Sequence, residues 1–156
     1  MFDIKTLQKY SFFGGLDEEQ IEKIIPLMVQ ETYNPDDVIL AEETANDKIL
    51  FIVEGRVSVI RKGTVIYDLA EGNTFGEMEV LDIMPSAAAI RAVSNVTVMS
   101  ISNKSLREIY NNDIKIFVQL LMNLARDISR RLRVANEIMI DGKMYDLYSA
   151  SIFLNH

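Results

Sequence analysis

Between Glu31 and Ser102 the hydrophobic period changes from the three-and-four spacing of a helix to the alternation of strands, and after Ser102 it changes back. No other feature limits the fold as much. The segments DDVILA, KILFIVEG, RVSVIRKG, TVIYDLAEG, AAIRAV and NVTVMSIS are short, rich in β-branched residues and separated by Gly, Asn, Asp or Pro. Several short strands at this spacing predict an antiparallel barrel or sandwich. Phe51 and Val53 alternate with Ile52, and Val57 and Val59 alternate with Ser58. RKGT around Gly63 predicts a hairpin turn.

Helical patterns flank this region. In GLDEEQIEKIIPLM, Asp17 and Gln20 have the spacing of a capping box, and Leu16 and Ile21 that of a hydrophobic staple. Ile21, Ile24, Ile25 and Met28 form one apolar face, and Pro26 should end or kink the helix near Ile25. TLQKYSFF, just before, suits a second short helix. After the strands, NKSLREIY reads as a short helix capped by Asn103. A long helix follows from about 113 to 140. Its apolar residues Ile114, Phe117, Leu121, Leu124, Ile128, Ala135 and Ile138 step by threes and fours, with Arg131 in the missing position and Leu132 beside it. Such a stripe suits either a partner helix or the chain's own barrel. Leu121, Leu124, Ile128, Leu132, Ala135 and Ile138 are the candidates for a homodimer interface. The organisation read from this is a β-roll with N-terminal helices over 1–112, the long helix over 113–140, and an apolar tail over 141–156 that should dock somewhere.

Composition removes several classes of function. The chain has 156 residues and a net charge of -7, which argues against a nucleic-acid or anionic-membrane surface. There is no Cys, so disulfides, thiolate metal sites and a Cys nucleophile are excluded. The one His is His156, and neither a nucleophile elbow nor a metal-ligand spacing occurs. No apolar run approaches the roughly 20 residues of a membrane span. A non-enzymatic, cytoplasmic protein without a metal or bound cofactor is expected.

The order of helix, short strands broken by a Gly-Glu loop, and long amphipathic helix resembles the cyclic nucleotide-binding domain family of Crp/Fnr-type regulators and protein kinase A regulatory subunits. The resemblance is carried by FFGGLDEEQIEKI, DKILFIVEGRVSV, IYDLAEGNTFGEMEVLD, Pro85 followed by AAAIRA, LMNLARDISRRLR, and the turn glycines Gly55 and Gly72. It implies an α+β, mainly β fold: an antiparallel β-roll or jelly roll flanked by N-terminal helices and a long C-terminal helix. It also implies that FGEMEVLDIMPSAAA contains a phosphate-binding cassette. In that family a short helix begins after the Gly-Glu pair, the Glu takes the ribose hydroxyl, and an Arg ten residues after the Gly pairs with the phosphate.

Phe75, Gly76, Glu77, Met78, Pro85, Ala87 and Ala88 fit this cassette. Glu79 stands where the family has Ala, Gly or Ser, and Ser86 stands where it has Arg. Loss of the Arg removes a charged hydrogen bond worth about 1.5–3 kcal/mol. A like charge about 4 Å away adds a cost on the order of 4 kcal/mol at an effective dielectric of 20. The expectation is a degenerate site that binds cAMP or cGMP weakly or not at all. Arg91 is an odd number of residues from Ser86 and should face away from the pocket. A cationic or neutral ligand, or an internal partner that neutralises Glu79, are other ways to accommodate the acidic residues. Three readings follow: a regulatory module with a degenerate cassette and an unidentified small ligand, a ligand-free interaction or dimerisation scaffold, and a genuine cyclic-nucleotide sensor acting through a protein partner. RDISRRLR is locally basic through Arg126, Arg130, Arg131 and Arg133. Without aromatic platforms it reads as a solvated or inter-helix face, and direct nucleic-acid binding is not expected.

Overall fold

The computed structural model describes residues 3–141; the tail from 142 lies outside them. Helix α1 (Ile4–Leu7) and a 3-10 turn, Ser11–Phe13, lead into α2 (Glu18–Ile24). The capping box on α2 is formed by Asp17 and Gln20. Pro26 ends this helix as expected: Ile25–Leu27 tightens to a 3-10 turn. Met28, assigned above to the helical face, instead opens strand β1 (Met28–Tyr33) while remaining buried. The apolar step at 28 fits both periods, and the proline decides between them.

The strands β2 (Val38–Leu40), β3 (Lys48–Glu54), β4 (Arg56–Arg61), β5 (Thr64–Ala70), β6 (Thr74–Phe75), β7 (Ala89–Ala92) and β8 (Val96–Ser102) complete the β region. They form two antiparallel four-stranded sheets, ordered β1-β8-β3-β6 and β2-β7-β4-β5. The apolar residues between the sheets include Leu50, Ile52, Val57, Val59, Phe75 and Val98. A second core lies on the outer face of the first sheet, where Phe12, Phe13 and Phe51 cluster with Ile21, Ile24, Ile116, Leu120 and Leu124. Strand β3 therefore buries both faces, and this explains why its central ILFIV is apolar throughout rather than alternating. Gly55 joins β3 to β4 with φ 92°, and a Cβ there would lie 2.1 Å from Asn95 O. Only glycine fits this turn.

The cassette helix α3 (Glu77–Asp82) lies between β6 and β7; α4 (Asn103–Asn112) and α5 (Ile114–Asp141) close the fold. Ser102, not Asn103, caps α4, its side chain accepting from Ser105 N–H. On α5 the inward face is rotated by about a quarter turn from the apolar stripe read from the sequence. Ile116, Leu120, Asn123, Leu124 and Asp127 are buried, whereas Ile114 is exposed. Two polar residues sit on that inward face because they hold the backbone of the N-terminal 3-10 turn. Asn123 Nδ2 donates to Phe12 O at 2.9 Å and to Gly14 O at 2.8 Å, and Asp127 accepts from Ser11 Oγ at 3.0 Å. Among the dimer candidates, Leu124 belongs to this core and Leu121 packs against it. Ile128, Ala135 and Ile138 are half-buried, and Leu132 is 60% exposed. No helix of the described residues is long and apolar enough to cross a membrane.

Candidate ligand-binding site

Gly76 turns β6 into α3. Its φ is 76°, and a Cβ there would come within 2.7 Å of both Asn46 Nδ2 and Lys48 O. The same Asn46 Nδ2 donates to Gly76 O at 3.1 Å and to Lys48 O at 2.7 Å, tying the turn to strand β3. This places Glu77 in the first turn of α3, where it is 2% exposed, and leaves Met78 exposed and Glu79 half-buried. The two carboxylates diverge, as residues two apart on a helix must.

Phe75, Gly76, Glu77, Met78, Glu79, Ser86, Ala87 and Ala88 all line one cavity of about 180 Å³, together with residues of β2, β4, β5 and β7. Pro85 is exposed and outside the lining, and Arg91 is exposed on β7, also outside it. Ser86 is buried and fully engaged. Its Oγ donates to Ala88 O at 2.6 Å, its N–H donates to Thr44 O at 2.9 Å, and its carbonyl accepts from Glu43 N–H at 2.7 Å. Its hydroxyl proton is thus committed to the backbone, and the position supplies no cation.

The cavity does contain cations, and both come from other elements. Arg61 at the end of β4 lines it, and so does Arg131 of α5. Arg131 Nη1 lies 2.7 Å from Glu77 Oε1, and Nη2 donates to Thr74 O at 2.5 Å and to Thr74 Oγ1 at 3.2 Å. The Glu77 side chain is 3% exposed and that of Arg131 26%. The internal partner considered for Glu79 belongs to Glu77 instead. Arg131 is not part of a solvated basic face; it reaches inward while Arg130 pairs with Asp127. Glu77 Oε2 is buried and has no hydrogen-bond partner among the described residues. Tyr67 senses the same charges. Burial pushes its phenol up, Arg131 opposes that shift, and Glu77 and Glu79 add to it.

Arg131 carried one usable signal in the sequence, a charged residue at a core-facing step of an apolar stripe. Such a position needs a buried counter-charge, but its partner lies 54 positions away. Nothing in the β4–β5 hairpin distinguished Arg61 from a solvated arginine.

The cyclic nucleotide-binding domain model matches residues 30–113, which include every strand after the first two residues of β1, the whole of α3 and α4, and the hairpin that carries Arg61. The mouse potassium/sodium hyperpolarization-activated cyclic nucleotide-gated channel 2 is 26% identical over 151 residues, covering 97% of this chain and 17% of the channel. Human cGMP-dependent protein kinase 2 is 23% identical over 124 residues, covering 80% of this chain and 16% of the kinase. The chain thus spans less than a fifth of either relative. A cyclic nucleotide-binding domain from Methylobacillus flagellatus superimposes with a TM-score of 0.81 at 24% identity, covering 92% of this chain and 84% of that one. With a β-roll, a Gly-Glu turn into α3 and a long C-terminal helix all in place, the chain belongs to the cyclic nucleotide-binding domain family.

Proposed function

We propose that this protein is a non-enzymatic regulatory module whose cassette is degenerate, binding cAMP or cGMP weakly or not at all. The observation that carries this reading is the buried Glu77–Arg131 ion pair. Glu77 is the residue to which the family resemblance gives the ribose hydroxyl, and here one of its oxygens is held by the chain's own α5. The position of the expected phosphate partner holds Ser86, whose hydroxyl is bonded to the backbone. At the cassette position a cyclic phosphate finds no arginine, Arg131 is already paired with Glu77, and the charge of Arg61 is offset by that of Glu79 in the same wall. Through Arg131, the state of the cavity is linked to the position of α5. Any ligand with different affinity for two positions of α5 shifts their balance. Millimolar cAMP or cGMP is expected to leave the melting temperature unchanged, whereas a dose-dependent rise would contradict the reading.

The output surface of this reading is α5. Val118, Met122, Leu132 and Met139 are exposed on it, separated by four, ten and seven residues, so they share one heptad face. This face favours a homodimer through the long helix. Leu132→Asp is expected to sediment as monomer beside a dimeric wild type; a monomeric wild type would remove the dimer.

A further inference from the structure

Where the cassette helix meets the two C-terminal helices, the surface carries an open groove of about 380 Å³. Val80 and Leu81 of α3 line it, with Tyr110 of α4 and Phe117 and Leu121 of α5. Among the described residues Arg107 is the only charged group in the lining. The rings of Tyr110 and Phe117 meet edge-on at 5.2 Å, yet Leu81 and Tyr110 stay 48% and 52% exposed. The groove shares no lining residue with the cassette cavity. Open apolar surface of this kind gains stability from any apolar group that covers it.

The chain beyond α5 supplies such a group, and its length selects which part. The segment 142–156 lies outside the described residues. Gly142 follows the last residue of α5, and glycine lets a chain leave a helix and reverse. Leu121 lies 20 positions before Asp141, about 30 Å back along the helix at 1.5 Å per residue. Residues 142–151, fully extended, span about 33–36 Å. The first residues able to enter the groove are therefore Ile152, Phe153 and Leu154, and all three are large and apolar. The stretch from Leu147 to Asn155 contains no Asp, Glu, Lys or Arg, so seating it desolvates no charge. Being tethered, it competes for the groove at an effective concentration on the order of millimolar.

We propose that this groove is the docking site of the chain's own C-terminal segment, with Ile152, Phe153 and Leu154 packed between α3 and the α4–α5 pair. A segment seated there bridges the cassette helix to both C-terminal helices.

The chain has neither Trp nor Cys, so each can be introduced once as a clean reporter in the full chain. The indole of Phe153→Trp is expected to emit to the blue of the denatured protein. Adding Tyr110→Glu, with folding verified by the melting transition, should shift that emission back to the denatured value. The pair Tyr110→Cys and Phe153→Cys should oxidise to a disulfide within one chain, which requires Cα atoms roughly 4.4–6.8 Å apart. Native emission equal to that of the denatured protein overturns the proposal. Burial of the indole that survives Tyr110→Glu overturns it as well, and its loss with Ile66→Asp would place the segment in the cassette cavity instead. A disulfide found only between two chains assigns the groove to a second copy and overturns the intramolecular seat.

Discussion

Arg131→Met is expected to destabilise the protein by about 3 kcal/mol, the lower end of what breaking a buried ion pair costs. The lower end applies because the Arg131 side chain keeps 26% of its exposure, so solvent screens its half of the pair. Methionine retains much of the aliphatic packing, which confines the effect to the charge. It leaves the Glu77 carboxylate buried with neither oxygen paired to a cation, and it removes the donor from Thr74 O. For a chain of this size the melting temperature should fall by roughly 6–12 °C. The double variant Glu77→Gln/Arg131→Met should recover most of the loss, because replacing both members of a buried pair by neutral groups is often close to neutral. Thermal denaturation of the three variants beside wild type reads this directly. A single variant within about 1 °C of wild type would mean that the pair contributes no net stability, the common result for exposed pairs.

Ser86→Arg with Glu79→Ala should raise cyclic nucleotide affinity above that of the wild type. A restored arginine offers the phosphate a charged hydrogen bond worth about 1.5–3 kcal/mol. Removing Glu79 lifts a repulsion that is on the order of 1 kcal/mol or more for a half-buried carboxylate in a high effective dielectric. Together these correspond to roughly two to three decades in the dissociation constant. Ser86 lines the cavity, so an arginine there extends toward the ligand from the same backbone position. The gain must also work against Arg131, which holds Glu77. If the double variant gains nothing, the third substitution Arg131→Met separates two causes. Gain on that background assigns the defect to the Arg131 contact; no gain refutes the charge account of the cassette.

Local chemistry made much of the fold legible. The Asp17–Gln20 box, the Pro26 stop and the glycine turns each act within a few residues, where spacing determines geometry. The placement of strands followed from β-branched runs bounded by turn residues. Short or two-faced elements were harder. β6 has two residues, too few for any period, and Met28 satisfied helix and strand alike. The rotation of α5 was misread because Asn123 and Asp127 face inward. Polar residues on a core-facing stripe look like its solvated side until their partners, Phe12 O, Gly14 O and Ser11 Oγ, are seen. The site was legible to the same extent. The turn at Gly76 and the start of α3 followed from the family resemblance that the Gly-Glu pair helps to carry. The contact between Glu77 and Arg131 joins elements that only the tertiary fold brings together, and no spacing rule reaches across it.

The most direct test of the central claim is calorimetric titration of wild-type protein with cAMP, carried to millimolar concentration, with folding verified by the melting transition. With Ser86 in place of the expected phosphate partner and Glu77 held by Arg131, no saturable heat is expected below millimolar. A dissociation constant in the micromolar range or tighter would contradict it, and would mean that the cavity compensates the phosphate through Arg61 or Arg131 after all.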